Sequence, residues 1–147
     1  MIGVVAGRAD DMTESIMKIT RISEEGIRRL VNGFYAKVRS DPELAPIFNR
    51  AIPCDWGPHL ATMRDFWSSV MLTSGRYKGN PVAVHLRIDG MEPRLFDRWL
   101  ELFSETCGEL FDEDLAETLR AKALRIAESL KLALFYRPDR PWPRRVS

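Results

Sequence analysis

Apolar residues recur at steps of three and four along most of this chain, and no stretch alternates apolar with polar as a half-buried strand does. That regularity restricts the fold to helices packed on helices. Prolines, glycines and capping residues cut the pattern into pieces. Ser23 is suited to cap a helix start, with Glu24 and Glu25 in the first turn, where the helix dipole favours negative charge. From there Ile27, Leu30, Val31, Phe34 and Val38 form one stripe, with Tyr35 at its edge, until Asp41-Pro42 ends it. Pro42 and Pro46 are so close together that they predict a single turn, with Phe48 as its large apolar residue.

Residues 51–57 read as a loop. The helix after it aligns Trp56, His59, Leu60, Met63, Phe66, Trp67, Val70 and Met71 on one face. Gly75 to Asn80 breaks that helix, and Pro81 opens a very short one that Asp89-Gly90 and Pro93 close off. From Pro93 to about Leu110 the apolar residues are Phe96, Trp99, Leu100, Phe103 and Leu110. Asp112 is placed to cap a last helix whose stripe runs from Leu115 to Leu134, and Arg137-Pro138 stops it. The expected fold is all-α, four substantial helices and short accessory ones in antiparallel pairs around one core. Residues 1–22 are expected to be an arm or short helix, 23–136 the folded domain, and 137–147 a mobile tail rich in proline and arginine.

A length of 147 residues suits one domain, and 45% hydrophobic residues suffice for a core. With 22 basic and 21 acidic side chains there is no basic footprint for nucleic acid and no field to steer a strongly anionic substrate. Cys54 and Cys107 have neither CxxC nor zinc spacing and read as free thiols in a reducing compartment. The first residues lack the basic start of a signal peptide, and no apolar run approaches the ~20 residues of a membrane span. A soluble, cytoplasmic, monomeric protein is the expectation, with neither membrane nor nucleic acid as partner.

Both histidines of the chain fall between Trp56 and Leu86. A helical histidine is more often a satisfied polar residue than a ligand. His59, however, lies on the apolar face of its helix, one turn before Met63. His85 lies on the short helix beyond the loop. Two histidines on two helices joined by one loop can face each other across a flat ligand. That arrangement suits haem, with one imidazole on iron and the other waiting on the far side. No CxxCH motif is present, so attachment would be non-covalent.

The order of features is more specific than any one of them. Gly33-Phe34-Tyr35 in the first major helix is followed by the Pro46-Ile47-Phe48-Asn49 turn. Then come Trp56-x-x-His59-Leu60 with Phe66-Trp67, Tyr77-x-Gly79-x-Pro81-x-x-x-His85-Leu86, and Phe96-Asp97-Arg98-Trp99-Leu100-Glu101-Leu102-Phe103. Over roughly residues 24–135 this order resembles the truncated haemoglobins, and within them group III. The glycine-glycine pairs of the other truncated groups are absent. The resemblance implies a two-over-two helical sandwich enclosing haem b, with His85 the proximal iron ligand and His59 the distal histidine, a second ligand at need. It implies that Tyr35 and Trp99 reach the ligand pocket, that Phe48 packs on the haem ring, and that Met63, Phe66 and Trp67 line its distal side. It puts Tyr77 and Arg76 near a propionate.

A diatomic ligand on haem iron gathers negative charge. A phenol, indole or imidazole donor near it adds a charge-assisted bond of roughly 1.5–3 kcal/mol. Three such donors are more than simple retention requires. The expected activity is reversible binding of O2, CO or nitric oxide, joined by redox chemistry on nitric oxide, peroxide or related species. Such chemistry is nitric-oxide dioxygenase-like or peroxidase-like and draws on an external reductant. The other readings are a simple O2 carrier or store, and a haem-free helical interaction domain with a globin-like core.

Overall fold

Six helices form among the residues described by the computed structural model, which are 17–86, 88 and 90–135, the side chains of Val82, Ala83 and Leu86 excepted. Helix α1 spans Glu24–Ser40 and starts where the Ser23 hydroxyl accepts the Gly26 N–H at 3.1 Å. Asp41 ends it, and the same side chain begins the next segment by accepting the N–H groups of Glu43 and Leu44. Helix α2, Ala45–Ala51, is longer than the single turn expected. Pro46 falls in its first turn, where a missing N–H leaves no helical bond unmade.

Helix α3, Trp56–Leu72, starts inside the expected loop because Asp55 accepts the Gly57 N–H at 2.9 Å, and Thr73 closes it in the left-handed conformation (φ 52°). Helix α4 is Pro81–Leu86, α5 is Pro93–Leu110, and α6 is Glu113–Phe135. Asp112 Oδ1 accepts the Leu115 N–H at 3.0 Å, the cap expected at that point.

Helix α1 packs on α3 and on α5, α5 lies along α6, and α4 docks on α6. The result is two helix pairs, α1 with α3 and α5 with α6, one laid over the other. Ile27, Leu30, Phe34, Trp67, Phe103 and Leu119 are sealed between them. Each such side chain contributes about 1.5–3 kcal/mol by leaving water. Where α5 meets α6 the buried residues of α6 include Ala116, Ala123 and Ala127, whose small side chains let the two backbones approach.

The described part of the N-terminal arm is extended, not helical. Ile19 donates its N–H to Leu110 O and accepts the Asp112 N–H, both at 2.9 Å, and Lys18 reaches Gly108 O at 2.5 Å. The rest of the arm and the Pro/Arg-rich tail expected at 137–147 lie outside the described residues. No described helix is long and apolar enough to cross a membrane.

Candidate functional site

Residues of α3 and of α4 line one space, with the short helices α2 and α4 docked on α1 and α6. That space is a cavity of about 410 Å³ that all six helices help to wall. Tyr35 enters from α1, Phe48 from α2, and His59, Met63, Phe66 and Trp67 from α3. Tyr77 comes from the loop between α3 and α4, His85 from α4 and Trp99 from α5.

His85 Nδ1 lies 2.7 Å from the carbonyl oxygen of Pro81, one turn earlier. A carbonyl only accepts, so Nδ1 carries the proton and donates, and the lone pair is on Nε2. Burial lowers the pKa of this imidazole, partly opposed by the Pro81 bond. It is therefore neutral at pH 7, the form that binds a metal.

Across the cavity, His59 Nε2 is buried and has no hydrogen-bond partner in the protein. Its ring is fixed by two edge-on aromatic contacts, Tyr35 at 5.2 Å and Trp56 at 5.3 Å between centroids. Burial lowers its pKa, with a smaller push from His85. A buried polar atom left unpaired costs about 1–3 kcal/mol, a cost that a bound group can relieve.

Tyr35 is 4% exposed, and burial holds its hydroxyl pKa well above the usual phenol range. Trp99, on the same cavity wall, pulls that pKa the other way by a smaller amount. Trp99 lies flat on Phe103 (5.4 Å, 8°) with its edge to Phe34, and Phe103 lies flat on Trp67 (5.0 Å, 20°). Trp99 thus stands on stacked rings, while Tyr35 is held by edge contacts with Phe34 at 4.7 Å and His59 at 5.2 Å.

Tyr77 lines the cavity edge-on to Phe66 at 5.1 Å, with its N–H on Ser69 Oγ at 3.0 Å. Arg76, its neighbour, is not in the cavity wall. Its guanidinium is half-exposed and held by Glu24 at 2.7 Å, Ser68 at 3.0 Å and Asp65 at 3.1 Å, tying the loop to α1 and α3. Phe96, Ile126 and Leu130, which lie on the apolar stripes of α5 and α6, also line the cavity, and the Phe96 ring lies 5.9 Å from that of His85. The stripes that carry them were visible; that the stripes end at a cavity was not.

Among the described residues no group of three His, Cys, Asp or Glu could hold a bare metal ion. The site instead offers two neutral imidazoles and apolar walls. Those features fit a large apolar cofactor that brings its own metal and accepts one imidazole.

No family model matches the chain. Among curated proteins it is similar to the group 3 truncated hemoglobin ctb of Campylobacter jejuni subsp. jejuni, with 34% identity over 122 residues that span 81% of this chain and 96% of the relative. The crystal structure of a group III truncated hemoglobin from Campylobacter jejuni matches it with a TM-score of 0.78 at the same 34% identity and the same two coverages.

Proposed function

This chain belongs to the group III truncated haemoglobins, and from that premise we propose that it binds one haem b non-covalently and takes up O2 and other diatomic ligands, with redox chemistry on nitric oxide or peroxide. The observation that carries the reading is the 2.7 Å bond from His85 Nδ1 to Pro81 O, which fixes the tautomer with Nε2 ready to ligate. Bound haem would supply an iron that takes a diatomic ligand and exchanges electrons.

The chain's own residues do the rest. Tyr35 and Trp99 bring an O–H and an indole N–H to the same cavity, and Trp99 lowers the phenol pKa against the larger effect of burial. His59 adds a second group whose ring nitrogen is unsatisfied by the protein. Donors fixed in advance stabilise charge that develops on a ligand, which supports chemistry beyond storage. Met63, Phe66 and Trp67 keep water from that space. An external one-electron donor completes any turnover, and a monomer in the cytoplasm is part of the same proposal.

The test is to titrate the purified chain with haemin and record ferric, ferrous and CO-bound spectra. One equivalent is expected to bind. His85→Gly is expected to lose haem or to hold it only weakly, with added imidazole restoring the ferrous spectrum. A chain that stays colourless, or a His85→Gly spectrum unchanged from the parent, overturns the reading and favours a haem-free interaction domain. Catalysed loss of nitric oxide or peroxide above that of free haem tests the redox part.

A further inference from the structure

One carboxylate joins three of the elements that wall the cavity. Asp41 closes α1, the helix that carries Tyr35. Its Oδ2 accepts the N–H groups of Glu43 and Leu44, each at 3.0 Å, and so fixes the turn into α2. Leu44 is itself part of the cavity wall. Asp41 Oδ1 accepts from Nε and Nη2 of Arg98 on α5, at 2.8 and 2.6 Å. The Asp41 side chain is only 2% exposed. A carboxylate so far from water stays charged only when its oxygens are well supplied with donors. Burial pulls its pKa up, and the bonds from Arg98 and the two amides outweigh that pull.

Arg98 precedes Trp99, and consecutive residues on a helix point about 100° apart. Fixing Arg98 on one side of α5 therefore fixes where Trp99 projects on another. Stacking on Phe103 and the edge contact with Phe34 hold the indole plane. What stacking leaves open is the roll and slide of α5 against α1, and where the indole stands relative to Tyr35 in the cavity wall depends on both. Arg98 Nη1 is held in turn by Glu101 at 2.8 Å. A lysine could replace the charge but not the two-nitrogen grip.

We propose that the Asp41–Arg98 pair is the positioning device for the Tyr35–Trp99 donors, setting how tightly the cavity holds a ligand that neither residue touches. The inference rests on the haem-binding reading above.

The test is a double-mutant cycle on the haem-loaded chain, with O2 dissociation as the readout. Arg98→Lys is expected to speed O2 release roughly threefold to tenfold, a fraction of the factor of about ten to a hundred that a charge-assisted bond is worth. In a Trp99→Phe background the same substitution is expected to change the rate by less than about 1.5-fold, because the group it acts through is gone. Equal fold-changes in both backgrounds, or none in either, overturn the proposal, since a purely structural pair would act independently of Trp99. Asp41→Asn, which keeps the side-chain volume, carries the same cycle if Arg98→Lys does not fold.

If the parent chain takes up no haem, the functional reading fails separately and the positioning is still testable. In the 15N-labelled chain as purified, Arg98→Lys is then expected to speed exchange of the Trp99 indole proton roughly tenfold relative to the other tryptophan indoles. A uniform change across all four tryptophans overturns it.

Discussion

His85 and Pro81 stand one helical turn apart, and the carbonyl of the proline takes the proton-bearing nitrogen of the histidine at 2.7 Å. The proline both starts the helix and supplies the oxygen that orients the imidazole. Its own missing N–H falls in the first turn, where no helical partner is lost.

Burial lowers the pKa of His59 and of His85 below the ordinary value of 6.5. As pH falls, the unfolded chain therefore takes up protons first. The two rings contribute stability above about pH 6.5, lose it as pH drops toward their folded values, and add no further slope below those values. Urea midpoints of the haem-free chain between pH 7.5 and 5 are expected to fall, at no more than about 1.4 kcal/mol per pH unit for each histidine. His59→Leu is expected to flatten part of that slope. An unchanged slope in the variant means that His59 titrates as a solvated group.

Gly79 has no Cβ, and one placed there would come 2.7 Å from the Tyr77 hydroxyl oxygen and 2.8 Å from its ring. The backbone at Gly79 is not in the left-handed region, so alanine meets only the ring. Gly79→Ala is expected to swing Tyr77 off Phe66 and out of the cavity wall, costing roughly 1–3 kcal/mol of stability. Tyr77→Ala in the same chain removes the clash. If the double variant is no more stable than the sum of the single effects allows, the two residues do not compete for space.

Tyr35→Phe nearly preserves volume and removes a hydroxyl that burial keeps protonated at the cavity wall. Faster O2 release is expected, by up to the factor of about ten to a hundred that a charge-assisted bond is worth. Trp99→Phe in addition removes the indole donor and is expected to speed release further. If both substitutions, alone and combined, leave O2 dissociation and nitric-oxide or peroxide turnover at parental values, the protein is better described as a simple ligand carrier.

His59→Leu replaces a buried nitrogen that has no protein partner with an apolar group. The expected result is a haem-free chain as stable as the parent or more so by about 1 kcal/mol. Association of CO is expected to change as well, because His59 and Met63 sit one turn apart on the same cavity wall. Identical CO association rates mean that the His59–Met63 edge is not the way in.

The helix starts were legible because caps are local. Ser23 and Asp112 satisfy N–H groups three residues on, which the sequence displays directly. Helix α2 runs past the single turn its prolines predict for an equally local reason, since a proline in a first turn continues a helix that the same proline would break further along. The contacts that assemble the site are long-range. Arg76 lies in the loop that leads to the cavity, and its acceptors Glu24 and Asp65, on α1 and α3, are set by packing that its neighbours in sequence do not display. Phe96 and Leu130 obey the same helical period whether they face a packed core or an open cavity, so periodicity alone could not separate them. Asp41 and Arg98 are polar residues in unremarkable positions until α5 is laid beside the end of α1.

The extended arm also bears on the order in which the molecule is built. Lys18 meets Gly108 across a sequence separation of 90 residues, and Ile19 meets Leu110 and Asp112 at a similar remove. With α1 docked on α5 the arm is a short tether beyond α1, so these bonds belong among the last to form and the first to open. Asp112, whose N–H goes to Ile19, also caps α6. The end of α5, the start of α6 and the extended arm therefore meet at one late junction, and the α5–α6 corner is fastened by a segment far from it in sequence.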